Sequence, residues 1–516
     1  MSQRHGVPVR GLMAPHLVSE AKGSQFEGRF GRMFPDLPHA TFGKDDKDNL
    51  KNLALLGKEM SAGFDPPKDG KDDEESGIPA LYTYLGQFMD HDITFDPASS
   101  LQKQDDPNAL TDFRSPAFDL DNVYGRGPDD QPFLYNGDNS FLLGDPLTLG
   151  DPAATDLPRN CAPARRALIG DPRNDENSIV SQLQGLFHRF HNRTLKDHPN
   201  SKFEEIQKLV RFHYQYVILN DFLPRVIHSS VIADLKSNGK YDRNKLKFFH
   251  IKKRAFMPVE FSVACYRLGH SMIRPGYRLN DAVLLPIFPV PPATAPGFSE
   301  GLTGFRAMIK NWGIDWGRFI DIDTRIYDAK PVENTPPFEN TQRLQFAYRL
   351  DTSVVNPLST LPPEVAANPS SLAQRNLERG WRLGLPSGQQ VASAMGVKPL
   401  SDDEILIGKG VDKPAKGEEP FPITKVDKIF AQNCPLWTYV LAEAMQHQEK
   451  VEIPVKENIT ITTPRLGPVG GRVVAEVFLG LLFADKHSLL SLDPTWHPPG
   501  NPHYALRDFV KYALGK

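Results

Sequence analysis

The sequence predicts a mainly α-helical fold: one large single domain with long loops and little β-sheet. Three observations carry that prediction. Apolar residues recur at three and four in segment after segment, as Ile179, Leu183, Leu186, Phe187 and Phe190 do. The 46 prolines and 39 glycines gather between such segments, which makes the connections long. Alternating apolar and polar residues are scarce, and residues 451–462 are the best strand. The length of 516 residues also allows about three domains, but no internal repeat divides the chain.

In chain order, residues 1–75 read as an N-terminal arm and linker, and residues 76–516 as the domain proper. Phe26, Phe30, Met33 and Phe34 offer the arm anchors, while the polar runs at 44–51 and 66–76 keep it extended or looped. The domain opens on PALYTYLGQFMDHDITFDP, residues 79–97, where Leu81, Leu85, Phe88 and Met89 form one helical stripe. Gln87 and His91 stand one turn apart on its flank, and Asp90 and Asp92 bracket the histidine. Two carboxylates beside an imidazole are costly to bury unless a cation or hydrogen-bond donor meets them. Either this tip is solvated, or a metal and a cofactor sit there.

An acidic loop, SPAFDLDNVYG (115–125), follows. Long helices are then expected from Asn174 into HRFHNRTLKDH, over 203–223 with Pro224 as the stop, and over 258–272 with Pro275 as the stop. Shorter helical stretches are expected at 304–312, 371–380, 388–395 and 472–490.

The bulk numbers exclude several classes. A formal net charge of −3 gives no reason to expect nucleic acid or an anionic membrane surface as partner. No apolar run approaches the ~20 residues of a transmembrane segment. The start, MSQRHGVPVRGLMAPHL, has no apolar core of a signal peptide, so a cytoplasmic location or export by a leaderless route is expected. Cys161, Cys265 and Cys434 are too few and too scattered for a disulfide framework. Oligomeric state is not legible.

Four segments carry residues capable of chemistry, and each has a plain structural explanation when taken alone. Besides Gln87–Asp92 they are GDPRNDEN, with Arg173 and Glu176 a turn apart; YRLGHSMIRP, with His270 near a helix end; and QRNLERG, with Asn376 and Arg379. An acid in a first helical turn usually answers the helix dipole, and a lone histidine is usually a satisfied core residue. Taken together they suit a haem. One imidazole would ligate iron, oriented through its other nitrogen. A second would move a proton on the open face, and a cation would hold the charge that develops as an O–O bond breaks.

The set GQFMDHD, FDLDNVYG, GDPRNDEN, YRLGHSMIRPGY and RNLERG, in that order, closely resembles the peroxidase–cyclooxygenase superfamily, the animal-type haem peroxidases, in its bacterial branch. HYQYVILNDFLP and GPVGGRVVAEVFLGLL extend the resemblance, which runs from about Ala80 to about Pro499. It implies a haem peroxidase that reduces hydrogen peroxide and oxidises small organic donors or halides through a ferryl intermediate. It implies His91 as the distal proton carrier, Arg173 as the group polarising the O–O bond, and Gln87 as a wall of the distal cavity. His270 would ligate the haem iron, Asn376 would accept its other ring N–H, and Arg267 would face a haem propionate.

Asp90 and Glu176 match the carboxylates that become ester-linked to haem b in mammalian relatives, a bond that forms only on turnover with peroxide. Asn177 stands where one mammalian member has a methionine, so no sulfonium link is expected. Asp92, Ser115, Asp119 and Asp121, with the Ala117 carbonyl, match the family's calcium site. Relatives more often carry Thr and Ser where Ser115 and Asp121 stand, and the extra carboxylate should tighten binding.

Three alternatives remain. A fatty-acid oxygenase of cyclooxygenase or α-dioxygenase type would place a radical-forming tyrosine one turn before the proximal histidine, where this chain has Arg267, with Tyr266 one residue further back. A non-catalytic calcium-binding adhesion module would have no need of His91, Arg173 and His270 together. Metal-dependent hydrolysis by His91 and Asp92 with His188 and His191 is the weakest, since the latter pair suits structural roles.

Overall fold

Asp45 accepts a hydrogen bond from the Asp48 amide and so starts helix α1, Asp46–Glu59, whose Leu53 and Leu56 are buried. The computed structural model describes residues 30–63, 70–94, 114–163, 165–251, 255–289, 301–327, 343–363, 365–366, 368–501 and 503–516. α1 corrects the expectation of a looped arm. The charges at 44–51 fall at its N-terminal end, while leucines at 53 and 56 are buried where the helix packs against residues 372–382.

The residues before α1 are docked as well. Phe30 and Gly31 pair in parallel with Met257 and Pro258, and the Met33 and Phe34 amides donate to the buried Glu260 carboxylate. Phe26 lies outside the described residues. The expected linker also ends in the core: strand β1, Glu75–Pro79, is buried throughout, with Glu75 held between the guanidinium groups of Arg274 and Arg343.

Helix α2, Leu81–Ile93, follows directly and carries Gln87, Asp90, His91 and Asp92. Helix α3, Ser178–Asp197, is capped by Asn177, whose side chain accepts from the Ile179 and Val180 amides. Phe88 on α2 stacks on Phe187 of α3 with centroids 4.3 Å apart, a pairing worth ~0.5–1.5 kcal/mol beyond area burial. Helix α4, Phe203–Val217, does not stop at Pro224. It passes through a π-turn at Ile218–Phe222 and runs on over Leu223–Val226. The wider turn relieves the clash and missing donor that a proline brings to a regular helix.

The segment bearing His270 is also broken, as a π-turn at Glu260–Ala264, a 3₁₀ turn at Cys265–Leu268 and helix α5, Gly269–Met272. Residues 304–312 are not helical, and the Gly304 and Phe305 amides donate to the carbonyls of Glu176 and Asp175. Strand β2, Phe346–Tyr348, pairs antiparallel with β1. Helix α6, Leu372–Arg382, carries Asn376.

Helix α7, Leu436–Gln446, unforeseen in the sequence, leads into a hairpin of β3, Gln448–Glu452, and β4, Thr460–Pro464. The expected single strand at 451–462 is thus the turn and inner halves of that hairpin. Helix α8, Gly470–Ala484, is almost wholly buried and apolar apart from an Arg472–Glu476 ion pair, which makes it a central element. Helix α9, Leu506–Ala513, closes over α3 through a Phe190–Phe509 stack at 4.1 Å.

The expected fold class holds. Helices dominate, every sheet among the described residues has two strands, and a large apolar core runs from Met33 to Ala513 beside a small second cluster around Phe346 and Ile453. No described helix is long and apolar enough to cross a membrane.

Candidate active site

The tip of α2 is buried, not solvated. His91 is 5% exposed, and its Nδ1 lies 2.7 Å from Oδ1 of Asn174, in the 3₁₀ turn Pro172–Asp175 ahead of α3. Its Nε2 lies 3.6 Å from Oε1 of the half-buried Glu176. Burial, helped by the charge of Arg173, pushes the His91 pKa down to about 3, so the imidazole is neutral. Burial pushes Glu176 up to about 7 against the pull of Arg173. A proton shared between the two therefore sits on the carboxyl. Gln87 donates to the same Glu176 oxygen, and Asn177 donates to Oε1 of Gln87 at 3.1 Å.

Arg173 takes a position the sequence did not suggest. Its guanidinium donates to the carbonyls of His91 and Thr94, closing the C-terminal end of α2, and pairs with Asp171 at 3.0 Å. Asp171 is fully buried. Burial works against its charge, but Arg114 and then Arg173 prevail and hold it well below the usual carboxylate range. Arg114 joins this cluster to the neighbouring carboxylates, reaching Asp171 at 2.5 Å and Asp121 at 2.7 Å.

On the other side, His270 Nδ1 lies 2.7 Å from Asn376 Nδ2, and Arg267 donates to Asn376 Oδ1 at 3.4 Å. This reverses the expected direction, in which Asn376 accepts from the ring. The reason is that Arg267 can only donate, so it claims the amide oxygen and turns the NH₂ toward the imidazole. Burial, and secondarily Arg267, pushes His270 down to about 3. Arg267 itself is pushed down to about 10 by burial and by Arg379.

A cavity of about 280 Å³ lies between these two sides, at the small end for cofactor sites. Asp90, Thr94 and Arg173 form one part of its wall, Val263, Arg267, Asn376 and Arg379 the other, with Phe30 and Arg375 at its edge. Four arginines against one carboxylate make it a site for an anionic group, and Arg267 Nε is buried with no hydrogen-bond partner. Asp90 is held by Thr94 Oγ1 at 3.1 Å, and burial raises its pKa. His91 and His270 are not among the lining residues, but each is bonded to one: the His91 carbonyl to Arg173 and the His270 ring to Asn376.

Asp92, Asp119 and Asp121 converge, each offering an oxygen within 4.8 Å of the others. Asp92 Oδ2 accepts from Tyr214 Oη and the Leu120 amide, whereas its Oδ1 is buried without a partner. Burial, then Asp119 and Asp121, raises the Asp92 pKa well above its ordinary value. Arg114 answers part of this negative charge, and the remaining carboxylate oxygens are of the kind a hard divalent cation takes. Ser115 and Ala117 sit in the turn beside it, joined by an Ala117 amide to Ser115 carbonyl bond of 2.8 Å.

His188 and His191 belong elsewhere. His191 is bonded to Tyr124 Oη and to the Asn139 carbonyl, and His188 to Gln184. Among the described residues they form no metal-binding group with Asp92. Tyr266 stacks on Phe261 at 4.7 Å, donates to the Gly86 carbonyl at 3.1 Å, and is not among the lining residues. Sequence reasoning missed Asn174, Gln184, Asp171 and Arg114. Asp171 and Asn174 lie inside a motif already singled out, but no spacing rule marks them; Gln184 and Arg114 become visible only in three dimensions.

The family model described as animal haem peroxidase matches residues 102–287. A peroxidasin homologue of Mus musculus is 26% identical over 179 residues, 33% of this chain but only 11% of that protein. Peroxidase A from Dictyostelium discoideum superposes with a TM-score of 0.59 at 15% identity, covering 95% of this chain and 93% of that one. A fatty acid alpha-dioxygenase of Oryza sativa gives 0.52 at 16% identity, covering 92% and 79%. At such identities the structural likenesses show the fold alone. Family model, sequence relative and fold agree, and together they support a likeness to the animal haem peroxidases of the peroxidase–cyclooxygenase superfamily, which the family model carries over residues 102–287.

Proposed function

We propose that this protein is a haem peroxidase that reduces hydrogen peroxide and oxidises small organic donors or halides. The observation that carries the reading is the arginine-rich cavity shared by the segments bearing His91 and His270. Haem bound there would supply the two electrons that cleave the peroxide O–O bond and recover them from donors. Its propionates would answer the buried, unpartnered Nε of Arg267 and the other cavity arginines.

His270 would hold the iron through Nε2. For that its Nδ1 must carry the ring proton, so the Asn376 amide has to turn over. The contact that opposes the turn is the one from Arg267 to Asn376 Oδ1, and Arg267 would give it up on pairing with a haem carboxylate. His91, neutral and with its Nδ1 facing an amide oxygen, presents a bare Nε2 that can take a proton from peroxide and return it to the leaving oxygen. Glu176 and Gln87 border that path. Arg173 would hold negative charge at the cavity wall.

Asp90 lines the cavity, whereas Glu176, beside His91, is not among the lining residues; ester links to haem b would use these two carboxylates. Calcium would fill the gap between Asp92, Asp119 and Asp121, with Ser115 and the Ala117 carbonyl completing an oxygen shell. Held to Asp92, it would fix the end of α2 that presents His91.

The alternative is a fatty-acid oxygenase, which draws support from the fold shared with the rice enzyme and from Tyr266. The bond from Tyr266 to Gly86, away from the lining residues, weighs against it. Parallel assays with peroxide plus bromide, iodide or a phenol, and with oxygen plus a polyunsaturated fatty acid, separate the two. Peroxide-dependent donor oxidation without fatty-acid oxygenation is expected; oxygenation lost in Tyr266→Phe would reverse the choice.

A further inference from the structure

Behind His91 lies a chain of amides and imidazoles that the proposed chemistry has not used. His91 Nδ1 meets Asn174 Oδ1 at 2.7 Å, Asn174 Nδ2 donates to Gln184 Oε1 at 2.8 Å, and Gln184 Nε2 meets His188 Nε2 at 2.9 Å. Asn174 and Gln184 are 0% exposed and His188 1%, so water does not compete for these bonds. The His188 ring is stacked on Phe141, with centroids 4.3 Å apart and planes 7° from parallel.

An amide has an accepting end and a donating end, which gives the chain a direction. Gln184 Oε1 takes the Asn174 NH₂, and that leaves Asn174 Oδ1 toward His91. An amide oxygen cannot donate, so His91 Nδ1 carries the ring proton and Nε2 stays bare. At the far end, the Gln184 NH₂ needs an acceptor, which fixes the His188 proton on Nδ1. Turning one amide alone sets like against like where the two amides meet, and turning both requires both imidazoles to change tautomer, which takes the His188 ring proton away from its backbone partner at Leu142. Each buried group left unsatisfied costs about 1–3 kcal/mol.

We propose that Asn174 and Gln184 are positioning residues that lock His91 in the Nδ1–H tautomer, with the stacked His188 as their anchor. This rests on the peroxidase reading only for what the tautomer is used for. The other tautomer presents an N–H toward the cavity side and cannot accept a proton there, so a base at Nε2 needs this lock.

The test is ¹⁵N NMR of the full chain labelled in its histidine rings, with no porphyrin added and the His91 signals assigned through His91→Gln. The wild type and Asn174→Asp, which keeps the accepting oxygen, are expected to show Nδ1–H at His91. Asn174→Leu, and Gln184→Met, which frees the Asn174 amide to turn, are expected to show mixed tautomers. In the haem-loaded protein, Asn174→Leu should slow the reaction with peroxide by about 10²-fold. An Nε2–H tautomer in the wild type overturns the proposal whether or not any variant folds, as does Nδ1–H persisting in both Asn174→Leu and Gln184→Met. A chain with the expected tautomer that takes up no porphyrin would sink the peroxidase reading and leave the lock standing.

Discussion

His91 is a neutral, buried imidazole whose Nε2 faces a carboxyl instead of water, and its chemistry follows from that placement. His91→Ala should leave haem bound and slow the reaction with peroxide by about 10²–10⁴-fold, the usual contribution of a positioned proton carrier. Stopped-flow absorbance on haem-loaded protein measures this, and a near-normal rate would remove His91 from the mechanism. Asp90 and Glu176 make a second residue-level claim. After treatment with peroxide, acid solvent should extract haem from the Asp90→Val, Glu176→Gln double variant but not from the wild type. Equal release of unmodified haem from both would dismiss the ester links. The identities of these residues were legible in the sequence. The donor–acceptor direction at Asn376 was not, because it depends on Arg267, whose contact with that amide only the fold creates.

At the scale of elements, two buried acids show how the site is held. Glu443 on α7 accepts from the Val469 and Gly470 amides at the start of α8, and burial pushes its pKa up to about 7. A carboxyl whose folded pKa is raised stabilises the fold fully below its unfolded value, near 4.5, and loses that contribution as pH rises through 7. Glu443→Gln, which stays neutral, should therefore gain stability relative to wild type between pH 4 and pH 8, by on the order of 3 kcal/mol. Denaturant titrations at the two pH values check it, and a difference independent of pH would refute it.

The second acid, Asp92, ties the end of α2 to the carboxylate cluster with Asp119 and Asp121. Exhaustive chelation of calcium should disturb the distal side first, seen as altered cyanide binding by the haem-loaded protein; indifference to chelation would remove calcium from the account. Helices with a clear apolar period, α2 to α4, were legible. α1 was hidden because its charged run is more conspicuous than its leucines. α7 was hidden because an element apolar on nearly every side has no period to see.

For the whole molecule, the helical class and the order of motifs were readable because local periodicity and fixed residue types carry them. The burial of Glu75 between Arg274 and Arg343, and the docking of residues 30–34 on Glu260, were not, since these join parts of the chain roughly two hundred or more positions apart. The packing that joins α2 to α3 through Phe88 and Phe187 gives a check at this scale. Phe88→Ala should destabilise the fold by about 3–5 kcal/mol, measured by denaturant unfolding, and a loss under 1 kcal/mol would mean the stack does not hold the distal helix.

The central claim is that an iron porphyrin is gripped between the segments of His91 and His270. Titrating the purified full chain with haemin and recording its visible spectrum tests this most directly. A saturable Soret band in the wild type, with its ligand-field pattern lost in His270→Ala, is the expected result. A wild-type chain that stays colourless, or a His270→Ala spectrum identical to the wild type, would contradict the account.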